Sequence, residues 1–189
     1  SNIAATKFKT KHSSIKLKYK NILINHLREM TTYFGQPFAD LSIIPYDLIS
    51  NQIGSRSVVA LGGDGADESF CGYNRYDNPT GMVEDLYRNK EFNLTPSQDP
   101  KHFLLDNLPY VPTDKNELLR ILDISYFLEG DILQKVDRLS MRHSLEVRSP
   151  LLDYRIIEFS NALDYNLMFK MRKKEVLRRF LETLLIEKR

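Results

Sequence analysis

An apolar run that empties into a cluster of glycines leaves a chain few ways to fold. Here Ser57-Val58-Val59-Ala60-Leu61 is followed by Gly62-Gly63-Asp64-Gly65-Ala66-Asp67-Glu68, and then by Phe70-Cys71-Gly72-Tyr73. The first run reads as a short strand. The glycines permit a tight turn, φ above zero and close backbone approach. A helix opening behind such a turn exposes backbone N–H groups that can face an anion. Asp64, Asp67 and Glu68 would repel a bare anion, so a phosphate held here needs a metal between, and hard carboxylate oxygens suit Mg2+. The stretch points to nucleotide chemistry with magnesium. It also suits a purely structural strand, glycine turn and N-capped helix whose acidic residues favour the helix dipole. Spacing by itself puts the structural alternative first, because short glycine motifs recur in unrelated chains.

The chain has 189 residues, enough for one domain with a real core. A hydrophobic content of 42% with 28% charged residues is that of a soluble globular protein. The net charge of +2 gives no electrostatic case for a nucleic-acid partner. The basic cluster Lys170, Arg172, Lys173, Lys174, Arg178 and Arg179 is interrupted by Glu175 and Glu182 and reads as a solvated face. No apolar run is long enough to span a bilayer, and the first residues are too polar for a secretory signal. Cys71 is the only cysteine, which rules out an internal disulfide and fits a reducing cytoplasm. His12, His26, His102 and His143 are scattered, without metal-ligand spacing. The expected location is cytoplasmic, with no membrane and no nucleic acid as partner.

Along the chain, residues 3–11 read as the tail of a helix. Ile15, Leu17 and Tyr19 alternate with lysines, the pattern of a strand with one wet face. Leu23, Leu27, Met30 and Phe34 fall at helical spacing, which predicts an amphipathic helix over 20–34 stopped by Gly35. Pro45 suits the first position of the next helix, running to about Gln52. The strand at 57–61 follows, then one or two helical turns over 67–72. Strand, helix, helix, strand favours a parallel α/β arrangement. Five of the eight prolines fall within 77–113, which reads as an irregular surface excursion. From Asp114 onward the pattern is helical. Leu118, Leu119, Leu122 and Tyr126 mark one helix ended by Gly130, and Asp131 caps the next. Leu151 to Leu163 forms another after Pro150. The last runs from about Arg172 to Ile186 with an apolar stripe through Val176, Leu177, Phe180, Leu181, Leu184 and Leu185. The division is a single domain over 1–189, with an α/β part (1–76), the excursion (77–113) and a helical part (114–189).

Residues 131–148 carry charge on both sides of a supposed helix. Asp137, Ser140, Met141 and Ser144 share one face, and Asp137, Arg138, Glu146 and Arg148 can neutralise one another. This is either an ion network holding two helices or the wall of a cleft.

Pro37-Phe38-Ala39-Asp40-Leu41-Ser42-Ile43-Ile44-Pro45 and three later segments make a set. The later three are Leu61 to Glu68 with Gly72-Tyr73-Asn74-Arg75-Tyr76, the 131–148 stretch, and its continuation Arg148-Ser149-Pro150-Leu151-Leu152-Asp153. In this order, over nearly the whole chain, they resemble the synthetase domain of glutamine-dependent asparagine synthetases, a likeness shared by β-lactam synthetases. The resemblance implies a partial ATP-pyrophosphatase (adenine nucleotide alpha hydrolase-like) α/β domain, with few parallel strands and a predominantly helical second half. It implies that aspartate and ATP form β-aspartyl-AMP and pyrophosphate, and that ammonia from glutamine displaces AMP to give asparagine. ATP and Mg2+ are then required, with aspartate and ammonia as the small-molecule partners. By motif, Asp67 would be a magnesium ligand, Asp64 the acid beside the acyl-adenylate, and Tyr73 a neighbour of the site. Gly62, Gly63 and Asp64 would meet the nucleotide, and Lys174 the phosphates.

The chain departs from the family pattern in places. Gly62 stands where the family usually has serine, and Cys71 where it usually has glycine. The pyrophosphate loop Ser-Gly-Gly-x-Asp-Ser and the glutaminase domain with its nucleophilic cysteine are not in the sequence, so they are expected upstream in a longer parent. The expectation is a fragment of an amide ligase, inactive alone and open to self-association through sheet edges. An adenylating relative with another acid substrate, or a non-catalytic relative, are the alternatives.

Overall fold

The computed structural model describes residues 2–14, 23–38, 40–77, 106, 108 and 110–186. The strand expected at 14–19, all but Ser14, and most of the proline-rich stretch lie outside these residues. In chain order the elements are α1 (Asn2–Phe8), α2 (Leu23–Phe34), α3 (Ile43–Gly54), β1 (Val59–Leu61) and α4 (Ala66–Ser69). A 3-10 turn (Asn74–Asp77) follows, then α5 (Lys115–Leu122), a π-helical stretch (Asp123–Leu133), α6 (Gln134–Met141) and β2 (Glu146–Arg148). A second 3-10 turn (Pro150–Leu152) leads to α7 (Tyr154–Ala162), α8 (Tyr165–Lys170) and α9 (Glu175–Ile186). None of the described helices is long and apolar enough to cross a membrane.

The two strands pair in parallel. Glu146 N–H donates to the Val58 carbonyl and Gly62 N–H to the Arg148 carbonyl, each at 2.8 Å. Parallel strands need a long crossover, and here helices supply it. The chain is therefore α/β and mostly helical, as expected, but its second strand corrects the sequence reading, which ran a helical face through 131–148. The helix stops at Met141 and Ser144 takes φ +53. A three-residue strand is too short to show period two.

Other boundaries moved for identifiable reasons. Gly35 does end α2, with φ +73. Pro45 is the third residue of α3, not the first, still within the turn whose N–H groups need no helical partner. Gly130 does not end a helix, because it keeps right-handed backbone inside the π stretch, which runs without a break into α6. Helix α7 begins at Tyr154 because Asp153 caps it, its side chain accepting from Arg155 N–H. The expected last helix is α9, which starts at Glu175 rather than about Arg172, and a further helix, α8, capped by Asp164, precedes it. Phe180 and Leu181 of the α9 stripe are exposed.

The chain forms two compact units: residues 1–60 with 135–146, and residues 61–134 with 147–189. In the first, Met30 and Phe34 of α2, Ile43 and Ile44 of α3 and Leu139 of α6 make the core, with Phe38 stacked on Phe34 at 4.7 Å. Leu27 stays partly exposed, so the inward face of α2 is narrower than its periodicity suggests. Lys135, Arg142 and His143 of the 131–148 stretch pair with carboxylates of α3 and of the loop before it. Asp47, 2% exposed, has His26 Nε2 at 2.9 Å, His143 Nε2 at 2.8 Å and Arg142 Nη1 at 3.2 Å. Lys135 donates to Asp40 and to the Ser42 hydroxyl, while Ser42 N–H donates to Asp40 at 2.7 Å. In the second unit, Cys71, Tyr76, Leu119 and Met168 form the core.

Burial works against ionisation of Asp40, but Lys135 and the Ser42 donors outweigh it and hold the carboxyl below its ordinary range. A depressed folded value contributes stability above the unfolded pKa of about 4 and loses it as pH falls through the folded value. Asp40→Asn, which leaves the Lys135 ammonium without its counter-charge, should cost about 1–3 kcal/mol at neutral pH. That deficit should shrink in acid. Urea unfolding of both proteins at pH 7 and pH 3 checks this, and a deficit independent of pH would contradict it.

Candidate active site

The site is built on the second unit, where β1 ends. Gly65 takes φ +86, and a Cβ there would stand 2.1 Å from Leu152 Cδ2, so backbone and packing both exclude a side chain. At Gly62 a Cβ would meet Asp64 Oδ2 at 2.5 Å and Val147 Cγ1 at 3.2 Å. The fit is tight, and a serine hydroxymethyl group would enter it only by displacing Asp64. Gly63 is exposed with open space around it, and so presents bare backbone. Helix α4 behind the turn has only four residues. Its dipole is correspondingly small, so attraction for an anion falls to the turn backbone and to a side-chain cation.

Lys174 brings a side-chain cation to the segment behind the turn. It precedes α9 with φ +55, and its Nζ lies 2.8 Å from Asp67 Oδ1. The pair closes directly over Gly72, where a Cβ would sit 1.9 Å from Asp67 Oδ1 and 2.8 Å from Lys174 Cε. Gly72 is needed here for space. The neighbouring lysine acts alongside: Lys173 Nζ is 2.7 Å from Asp77 Oδ2 and also donates to Asn74. Two consecutive lysines thereby grip both ends of the 67–77 segment. Asp64 has a different set of contacts, its Oδ2 accepting from Ser149 Oγ at 3.2 Å. Leu61 and Ser149 also border an open cleft of about 700 Å³ with Pro150, Leu152 and Ile156 on its walls.

Tyr73 is locked. Its hydroxyl donates to Glu68, which is 2% exposed. Burial, and then this bond, push the phenol well above its ordinary pKa, so it remains a donor. The Arg75 guanidinium lies 4.1 Å from the Tyr73 ring centre and 4.4 Å from that of Phe127. Arg75 is held in turn by a bidentate pair with Asp123 at 3.0 and 2.7 Å, and Tyr76 OH donates to the same carboxylate at 2.6 Å.

Of the residues selected from sequence, Asp67 and Lys174 are joined, Gly62 and Asp64 share Ser149 as neighbour, and Tyr73 serves Glu68. Sequence reasoning missed the roles of Ser149, Lys173, Gly72 and Arg75. Ser149 and Arg75 lay inside recognised motifs, whereas nothing in the spacing told which glycine lies beneath an ion pair. Among the described residues no three His, Cys, Asp or Glu side chains converge as a metal cage. Magnesium that takes most ligands from phosphate and water needs only one or two carboxylates. Asp67, about one-third exposed, fits that demand, with the Lys174 ammonium as competitor for its carboxylate.

A parallel strand ending in a glycine turn, with a carboxylate on the turn and a lysine returned to the segment behind it, defines an α/β chain with a charged site at the strand end. The family model for asparagine synthase matches residues 1–188, and the chain belongs to that family. Two relatives from Bacillus subtilis (strain 168) are similar to it. Asparagine synthetase [glutamine-hydrolyzing] 1 is 27% identical over 78% of this chain and 31% of its own length. Asparagine synthetase [glutamine-hydrolyzing] 3 is 28% identical over 94% of this chain and 32% of its own length. The chain thus spans about a third of the curated relatives it matches.

Cys71 takes φ +53, a backbone that favours glycine, and is 4% exposed. Burial raises its thiol pKa to about 11, with Arg120 opposing. Iodoacetamide should therefore label the folded chain at pH 8 far more slowly than the urea-unfolded chain, and equal rates would contradict the burial. Because β-branched residues fit left-handed backbone worst, Cys71→Val should destabilise more than Cys71→Gly, by about 1 kcal/mol or more. Denaturant midpoints of the two variants compare them.

Proposed function

We propose that the full-length protein is an ATP-dependent amide ligase of the asparagine synthetase type, and that this chain supplies part of its synthetase site. The observation that carries the reading is the Lys174–Asp67 pair seated over Gly72, one turn beyond the exposed glycine backbone. Attack of a carboxylate on the α-phosphate of ATP builds charge on the departing pyrophosphate, and a fixed cation lowers that barrier. Lys174 fills this role. The bare backbone at Gly63 allows a nucleotide to approach closely, and the cleft beside Ser149 has the volume of a small-molecule site. Asp64 faces the acyl-adenylate and the incoming ammonia. Tyr73, with its proton held by Glu68, positions the segment and takes no part in proton transfer.

Magnesium would be held by Asp67 together with the phosphates, and when bound it would neutralise charge on the phosphate oxygens. Lys174 already holds this carboxylate, so a bound ion would compete with it there, and Lys174 would then be free to meet the phosphates.

The reading is tested on the full-length protein by aspartate-dependent release of pyrophosphate from ATP. Lys174→Met should lower kcat by about 10²–10³-fold, with the fold unchanged by circular dichroism. Absence of aspartate-dependent release would overturn the reading, and release with a different acid would move it to the adenylating relatives. The 189-residue chain alone should show no turnover.

A further inference from the structure

Arg120 of α5 is buried, 5% exposed, yet among the described residues no carboxylate closes a direct ion pair with it, and Glu117 one turn earlier favours its charge without that contact. Its Nη2 donates to two neutral oxygens, Ser160 Oγ at 3.0 Å and Asn161 Oδ1 at 2.7 Å. Its Nε is buried without a hydrogen-bond partner. The other buried charges are treated differently: Asp123 has Arg75, and Asp47 has Arg142 and two histidines. An ion taken out of water without a directly paired counter-charge is strongly unfavourable, and burial here works against the charged guanidinium more than Glu117 favours it. Arg120 lines a cleft of about 270 Å³, just below the usual range for drug-sized ligands, so a directly paired counter-charge has room to arrive on a small molecule.

The rest of the lining narrows the choice. Glu117 lies one helical turn before Arg120 on the same face, also lines the cleft, and accepts from Tyr110 OH at 2.9 Å. A carboxylate beside the guanidinium repels phosphate and other bare anions. It favours a ligand that carries both charges close together. Ile121 and Ile124 supply an apolar wall and Tyr165 an aromatic one.

We propose that this cleft binds a free α-amino acid with an apolar side chain, its carboxylate on Arg120 and its ammonium on Glu117. The site uses no residue of the glycine turn, so the proposal stands independently of the ligase reading.

The test is NMR of the whole 15N-labelled 189-residue chain, following the Arg120 Nε–Hε signal, assigned with Arg120→Lys, as leucine is added. 4-Methylpentanoate, isopentylamine and inorganic phosphate serve as single-charge controls. Leucine should move the signal saturably, and each control should bind at least about tenfold more weakly. Glu117→Gln should remove the preference for leucine over 4-methylpentanoate. The wild-type titration needs no variant beyond the assignment, so a poorly folding substitution does not blunt it. An Arg120 signal unmoved by leucine overturns the proposal, as does phosphate or 4-methylpentanoate binding as well as leucine. A response of Arg120 to neutralising an acidic residue of 78–105 would assign the counter-charge to the chain itself and overturn it too.

Discussion

The ion pair between Asp67 and Lys174 is the contact on which the candidate site depends. It links a residue just past the glycine turn to one just before the last helix. It forms only because Gly72 leaves the space that any Cβ would take. Both backbones that deliver it are unusual, with Cys71 and Lys174 in left-handed conformations. Such conformations are unfavourable for residues other than glycine, and they persist where surrounding contacts over-determine them. Here those contacts include the core around Cys71 and the second grip of Lys173 on Asn74 and Asp77.

The second unit holds its charges in two ways. Where a carboxylate is buried to fix geometry, it is saturated with donors: Asp123 takes a bidentate guanidinium and a phenol, and the same Arg75 lies against the Tyr73 ring. That arrangement is rigid, because removing one partner would leave an uncompensated charge. Arg120 lacks such saturation and faces a cleft instead. The contrast separates charges that hold the fold from one open to a ligand. The first unit follows the saturated pattern at Asp47 and at Asp40.

Local chemistry was readable where one residue type had one physical use. Gly35 stops α2, and the glycine turn follows β1. Gly130 shows the limit of that logic, since a glycine ends a helix only if it turns left-handed, and this one does not. Asp153 likewise took the cap that Pro150 was expected to define. In each case the residue permitted two outcomes and neighbouring contacts chose between them.

The sequence by itself determined the α/β class, the strand-to-glycine turn, the helical second half and the candidates Asp64, Asp67, Tyr73 and Lys174, because these rest on periodicity, on backbone permission and on ordered motifs. Tertiary structure alone decided which of them meet. It set Lys174 on Asp67 and Ser149 on Asp64, gave Tyr73 to Glu68, and paired β1 with a three-residue strand that carries no periodic signal. The reason is physical. Spacing along a chain fixes which face a side chain occupies within its own element, whereas contacts between distant segments depend on packing, and on where the absence of a single Cβ, as at Gly72, lets two charged groups close.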